Sequence, residues 1–254
     1  MYANRPGGIR LKIERAEKHI TELDSRITDF ALVAYELGAK PHAVLPSQTT
    51  VFVKTVAPVP PDFSVIVGDA VHNLRSALDH LMWQLVEAGG GSPNKSTYFR
   101  ICRDPQGAHQ YASAVGSGEI QKIKPGAASI LQSVQPYMSG NDTLWHIHEL
   151  DRFDKHRTLV TVLNTFKEWF VDQGVKGSKI VFPESPKIAL VANYEVFNIP
   201  TATYEREPHE NFKLNIDLSF GQSEVVGGQS VLPTLKEMMN LVDRLVTQFE
   251  PFLL

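Results

Sequence analysis

Between the proline corner Pro58-Val59-Pro60-Pro61 and the glycine run Gly89-Gly90-Gly91 lies one unbroken stretch with helical periodicity. At about 100° per residue, Ala70, Leu74, Ala77, Leu78, Leu81 and Leu85 fall on one apolar arc. Asp69, His72, Asn73, Ser76, Asp79, His80 and Trp83 fall on the opposite arc, and Arg75 flanks it. A solvated face usually carries Lys, Glu and Gln. Short acids, two histidines and an arginine suit a site better. Asp62 stands where an N-cap is needed and the glycine run where a helix must end, so the spacing predicts a helix to Ala88. Gly68 inside it costs about 1 kcal/mol relative to Ala, and so marks a close backbone approach or a kink.

The rest of the chain is arranged around this helix. From about Ile9 to Leu37, Leu11, Ile13, Ala16, Ile20, Leu23, Ile27, Phe30 and Ala31 recur mostly at three- and four-residue steps, with Gly38 placed to stop a helix. Thr49–Val56 is rich in β-branched residues and reads as a strand. Ser92 to Tyr137 reads as a loop-rich bridge with short elements at 98–102, 109–114 and 127–134. A further helix starts near Asn141-Asp142-Thr143 and carries LWHIHELDRFDKHR. TLVTVL from Thr158 reads as a strand, followed by strand-like runs at 179–182, 188–197 and 212–220. Leu232, Leu235, Met238, Met239, Leu241, Val242, Leu245 and Phe249 give a closing amphipathic helix from about Val231 to Phe249. The expectation is a single α+β domain over residues 1–254. Its helical core occupies 8–90, 141–157 and 230–253. A β-rich insertion or flanking antiparallel sheet, about 158–220, lies between the third and last helices.

Composition narrows the class. The hydrophobic fraction of 43% and charged fraction of 21% are those of an ordinary globular chain. A net charge of -3 supplies no global field for nucleic acid, so any RNA contact must come from a local patch. No apolar run reaches the roughly 18 residues of a membrane span and the start lacks a signal-peptide pattern, so a cytoplasmic protein without membrane contact is expected. The single cysteine, Cys102, excludes an internal disulfide framework. Arg100 and Arg103 favour its thiolate, whereas the lack of an evident base favours an inert thiol.

Chemistry concentrates on two segments, which hold five of the nine histidines. The central helix offers Asp69, His72, Arg75, Asp79 and His80; the second offers His146, His148, Asp151, Asp154, Lys155, His156 and Arg157. A metal site is one reading, but His146 and His148 stand about 200° apart on a helix and no HExxH or ExxH pair is present. No metal and no cofactor is therefore assigned. Metal-free acid–base chemistry is the second reading, because His titrates near neutral pH and Arg forks onto phosphate.

Arg75-Ser-Ala-Leu-Asp-His80 has the form R-x4-H, which resembles the motif of HEPN domains, helical modules many of which are dimeric ribonucleases. The resemblance implies RNA cleavage without metal at a homodimer cleft, with His80 as acid/base and Arg75 on the scissile phosphate. Around this pair, His72, Asp79, His156 and Arg157 would support catalysis, and Asp69, Asn73, Asp154 and Lys155 would contact substrate. Ser76 stands where that family prefers Asn, and Arg103-Asp-Pro-Gln-Gly-Ala-His109, one residue longer, also falls within the R-x4–6-H range of the motif. GDAVHNLRSALDHL (68–81) with DKHR (154–157) also resembles a family of uncharacterised bacterial and phage-borne proteins, which implies the α+β layout and no activity.

Each site reading has a plainer rival. Arg75 and Asp79, at i,i+4, can pair within the helix, as can Asp69 and His72. Asp154 and Arg157 can link the second helix to the first in a buried network that fixes packing register. His156, beside Lys155 and Arg157, suits a cationic helix C-terminus. Two functions thus compete: a HEPN-like ribonuclease, and a non-catalytic scaffold or small-ligand or partner-binding protein. A metal-dependent hydrolase is third. Burial of Arg75 against Asp79 or Asp154 favours the scaffold; an open cleft lined by Arg75 and His80 favours the enzyme.

Overall fold

The computed structural model describes residues 5–102, 107–116, 122–159, 161–171, 178–181, 188–205, 212–221 and 225–253. The fold is α+β. The long helices are α1 (Arg5–Ala31), α2 (Pro61–Ala88), α5 (Asp142–Asp154) and α7 (Val231–Phe249), with shorter α3 (Gly107–Gly116), α4 (Pro125–Val134) and α6 (Thr201–Tyr204). The strands are β1 (Tyr35–Pro41), β2 (Gln48–Val56), β3 (Thr161–Val171), β4 (Ser178–Val181), β5 (Ile188–Ala189), β6 (Glu195–Pro200) and β7 (Phe212–Phe220). Among the described residues, no helix is long and apolar enough to cross a membrane.

α2 is the hub, with α1, α5 and α7 packed on it. Its predicted apolar arc is buried throughout, from Ala70 and Leu74 to Leu81 and Leu85. α1 adds Ile9, Ile13, Ala16, Ile20, Leu23 and Ile27, and α7 adds Val231, Leu235, Met238, Val242, Val246 and Phe249. Each large side chain so buried contributes about 1.5–3 kcal/mol. Ion pairs from Arg10 to Asp243 and Glu250 fasten α1 to the end of α7, and Arg26 to Asp62 fastens it to the start of α2.

Two antiparallel sheets stand beside this bundle. In one, β2 lies between β1 and β6; in the other, β3 pairs with β7 along one edge and with β4 and β5 along the other. A second, smaller core joins them, with Ala34, Leu37, Val51 and Val53 meeting Leu163, Leu190 and Leu214.

Several expected boundaries move. The first helix ends at Ala31, not Leu37, and the chain turns into β1, so 35–41 belongs to a hairpin and the helical core does not run unbroken from 8. Leu32 and Val33 are exposed in the turn before β1 and Leu37 is buried within that strand, so the apolar stripe of α1 does not continue past Ala31. Leu11 points to solvent while Ile9 is fully buried. Gly38 is a strand residue, not a stop: a Cβ there would lie 2.9 Å from the Phe52 ring. Asp62 does not cap α2, whose first residue is Pro61; proline there lacks only an N–H that has no helical partner anyway. α5 stops at Asp154, leaving Lys155, His156 and Arg157 just beyond it. The strand expected from Thr158 begins at Thr161. The run at 188–197 splits into β5 and β6, in different sheets, around a turn where Asn193 takes a φ of 66°. The β structure is thus not confined to 158–220, because β6 joins the N-terminal hairpin.

Candidate functional site: the polar ridge of α2 and α5

α5 crosses α2 closely at Gly68. A Cβ on that glycine would lie 2.3 Å from Asp154 Oδ1, so the helix-interior glycine makes room for a carboxylate of the neighbouring helix. Burial, then the negative charges of Asp69 and Asp151, hold the Asp154 carboxyl above its ordinary value, against the pull of His72. Asp154 is therefore not a partner of Arg75. Arg157 instead lies over the Phe153 ring, 4.8 Å from its centroid.

One turn along, His72 does not pair with Asp69. Its Nδ1 lies 2.9 Å from Asp151 Oδ1 on α5, and its Nε2 lies 3.5 Å from Ser76 Oγ. Lys155 Nζ holds the other oxygen, Oδ2, at 2.5 Å. The Asp151 side chain is only 4% exposed, while that of His72 is 52% exposed, so a buried carboxylate orients an open imidazole. Asn73 Nδ2 donates to the Asp69 carbonyl at 2.8 Å.

Arg75 faces the other way. Its side chain is 8% exposed, and Nη2 donates to the Phe99 carbonyl at 2.8 Å. Nη1 lies 2.8 Å from Asp79 Oδ1, an ion pair whose angle falls short of a hydrogen bond. Asp79 Oδ1 accepts in turn from the Phe99 amide at 2.9 Å. The pair thus grips both backbone groups of Phe99, whose ring is fully buried, and pins the segment after the glycine run to the hub helix. The i,i+4 pairing is the one expected, but its object is the chain rather than a ligand.

His80, five residues on, is exposed, as is Trp83 at 40%. R-x4-H therefore divides, with its arginine in the core and its histidine on the surface. His156 is exposed just after α5, where its amide donates to the Phe153 carbonyl, and Lys155 is the C-cap residue. The second match, at Arg103, lies outside the described residues. Among the described residues, no group of three or more His, Cys, Asp or Glu converges as a metal-ligand set. Cys102 is buried, and burial raises its thiol against the smaller pull of Arg100, which overrides the expectation of a favoured thiolate.

The sequence places Asp151 among the candidates without a role and Ser76 on the polar arc without an assignment. The spacing of Ser76 one turn after His72 was the available signal. His148, which cannot share one ion with His146 on the helix, lies near Arg75; its Nδ1 is buried without a hydrogen-bond partner, and burial together with Arg75 lowers its pKa against Glu149 and Asp151. Phe99 carried no polar signal at all, because its contribution is backbone. The two helices thus present an oriented imidazole, a hydroxyl and exposed cations on one ridge, with the arginine withdrawn. Comparison with protein-family models, with curated proteins and with solved structures returns no match to this chain.

Proposed function

We propose that the chain is a small-ligand or partner-binding α+β protein whose Arg75–Asp79 pair serves the fold and whose working surface is the open ridge of α2 and α5. The observation that carries this reading is the engagement of Arg75 with Phe99 and Asp79 at 8% exposure. A phosphate clamp needs that guanidinium free. Withdrawing it strands a buried carbonyl, a cost of about 1–3 kcal/mol before any substrate is held. A second reading, the HEPN-like homodimeric ribonuclease, is favoured by one observation: His80 is exposed on the same ridge as Trp83.

A mixed single-stranded RNA pool, incubated with EDTA present, separates the two. On the binding reading RNA stays intact with wild type, His80→Ala and Arg75→Ala, while Arg75→Ala alone lowers the melting temperature. Cleavage that survives EDTA, leaves cyclic phosphate ends and vanishes in both variants establishes the ribonuclease instead.

A further inference from the structure

Ser76, like Ser64 and Thr143, turns its hydroxyl to a side chain rather than to the backbone of its own helix. Thr21, Thr28, Ser129, Thr234 and Thr247 each donate to the carbonyl four residues back, the usual retreat of a short hydroxyl inside a helix. Ser76 Oγ instead faces His72 Nε2 at 3.5 Å, and the other nitrogen of that ring meets the buried Asp151 at 2.9 Å. A carboxylate oxygen only accepts, so Nδ1 carries a proton, and in the neutral ring Nε2 then offers its lone pair to the hydroxyl. Lys155 fixes the second carboxylate oxygen and with it the rotamer of Asp151.

We propose that Ser76, His72 and Asp151 form a hydrolytic triad for small carboxylic esters, with Ser76 as nucleophile, His72 as general base and Asp151 as the positioning residue. This goes beyond ligand binding but rests on the same open ridge. Oγ bonds to the ester carbonyl carbon as Nε2 takes the hydroxyl proton. The bond to the alcohol then breaks as Nε2 returns that proton to the leaving oxygen, giving an acyl-Ser76 and a free alcohol. Water attacks the acyl carbon, passes its proton to Nε2, and Ser76 recovers it as the acid leaves. No oxidant, reductant or metal enters the balance.

The donors for the oxyanion must be side chains, because the Ser76 amide lies inside a helix. Taking His72 as reference at about 100° per residue, Ser76 sits about 40° round the helix, His80 about 80° and Asn73 about 100°. By position the hydroxyl therefore has its base on one side and, on the other, Asn73 one turn before it and His80 one turn after it. One Asn73 Nδ2 hydrogen goes to Asp69, leaving the second. The ridge is open, and Trp83 offers an apolar ledge two turns past Ser76, which suits a short aryl or alkyl ester rather than a polymer.

The test uses the full chain with p-nitrophenyl acetate and, separately, a fluorophosphonate probe located by peptide mass spectrometry. The expected result is an adduct on Ser76, with kcat/KM falling about 100-fold or more in Ser76→Ala and His72→Gln. His109→Ala, on an exposed histidine of α3, leaves the rate unchanged and controls for adventitious imidazole catalysis. Asp151→Asn keeps the adduct, forms it slowly and moves the pH profile. Should that buried substitution fail to fold, Ser76→Ala and His72→Gln decide alone. No adduct on Ser76, or hydrolysis that persists in Ser76→Ala, overturns the triad. Intact RNA alongside that result leaves the binding reading standing.

Discussion

Two charged or hydrogen-bonded side-chain pairs lie one turn apart on α2 and are put to opposite ends. Arg75 and Asp79 turn inward and hold both backbone groups of Phe99. His72 turns outward, held by Asp151 from α5, and leaves its second nitrogen facing solvent and Ser76. In the first pair the cation is buried and the acid is 37% exposed; in the second the acid is buried and the imidazole open. The member that is buried decides what the pair does. A buried guanidinium committed to a backbone carbonyl and an acid is withheld from any ligand, whereas a buried carboxylate lends orientation to a group that remains reachable.

The sharpest way to break this comparison is Arg75→Ala. It strands the Phe99 carbonyl and removes the cation beside Asp79, so a loss of about 3 kcal/mol is expected. In a chain of this size each kcal/mol moves the melting temperature by about 2–4 °C, so calorimetry should show a fall of roughly 6–12 °C. His72→Ala should lower it far less, because its side chain is half exposed. Equal falls would mean that both pairs serve the fold.

Gly68→Ala tests the crossing that brings α5 to α2. In a helix interior Ala is favoured over Gly by about 1 kcal/mol. Here a methyl would meet the Asp154 carboxylate at 2.3 Å, and the net change is expected to be a loss of about 1–3 kcal/mol by denaturant titration. In an Asp154→Ala background the sign reverses and the same substitution stabilises. A loss in both backgrounds would show that the glycine answers to something other than Asp154.

What the sequence disclosed follows the same division. The helices α2 and α7 were legible almost to the residue, because an apolar stripe in both and the glycine stop of α2 are local signals. Gly68 announced a close approach for the same reason: an unfavourable residue inside a strong helix needs a cause. The end of α1 was not legible, since Tyr35–Leu37 is apolar enough to continue the stripe and becomes a strand only through pairing with β2. The run 188–197 hid its division because each half matches β periodicity and only tertiary pairing assigns them to different sheets. At the site, residue types were legible and partners were not. Nothing local says that Arg75 reaches a carbonyl 24 residues on, or that His72 chooses Asp151 over Asp69.

Acid should bear on the two central helices through α5. Burial, with Arg75 beside it, holds His148 below the ordinary imidazole value, and burial does the same for His146 against Asp142 and Glu237. Below about pH 6.5 the unfolded chain then binds more protons than the folded one at these positions, so this contribution to stability is complete above that pH and is lost as pH falls through the depressed values. Asp154, raised, acts with the opposite sign. Melting curves from pH 7 to pH 5 should fall less steeply in His148→Gln than in wild type, by roughly a couple of degrees over the range. An unchanged slope would place the acid sensitivity elsewhere.

The smallest expected effect on stability falls on His80. An exposed side chain away from caps and networks changes stability by no more than about 0.5 kcal/mol on truncation, so His80→Ala should melt within about 2 °C of wild type. Set beside Arg75→Ala, this gives the comparison its discriminating power. A phosphate clamp and its acid/base partner are one machine, and removing either must abolish the same activity. A division between fold and surface predicts instead that Arg75→Ala loses stability without a lost RNA activity to report, while His80→Ala folds normally and slows only ester turnover on the ridge. A shared loss of RNA cleavage in two folded variants would join what the structure separates.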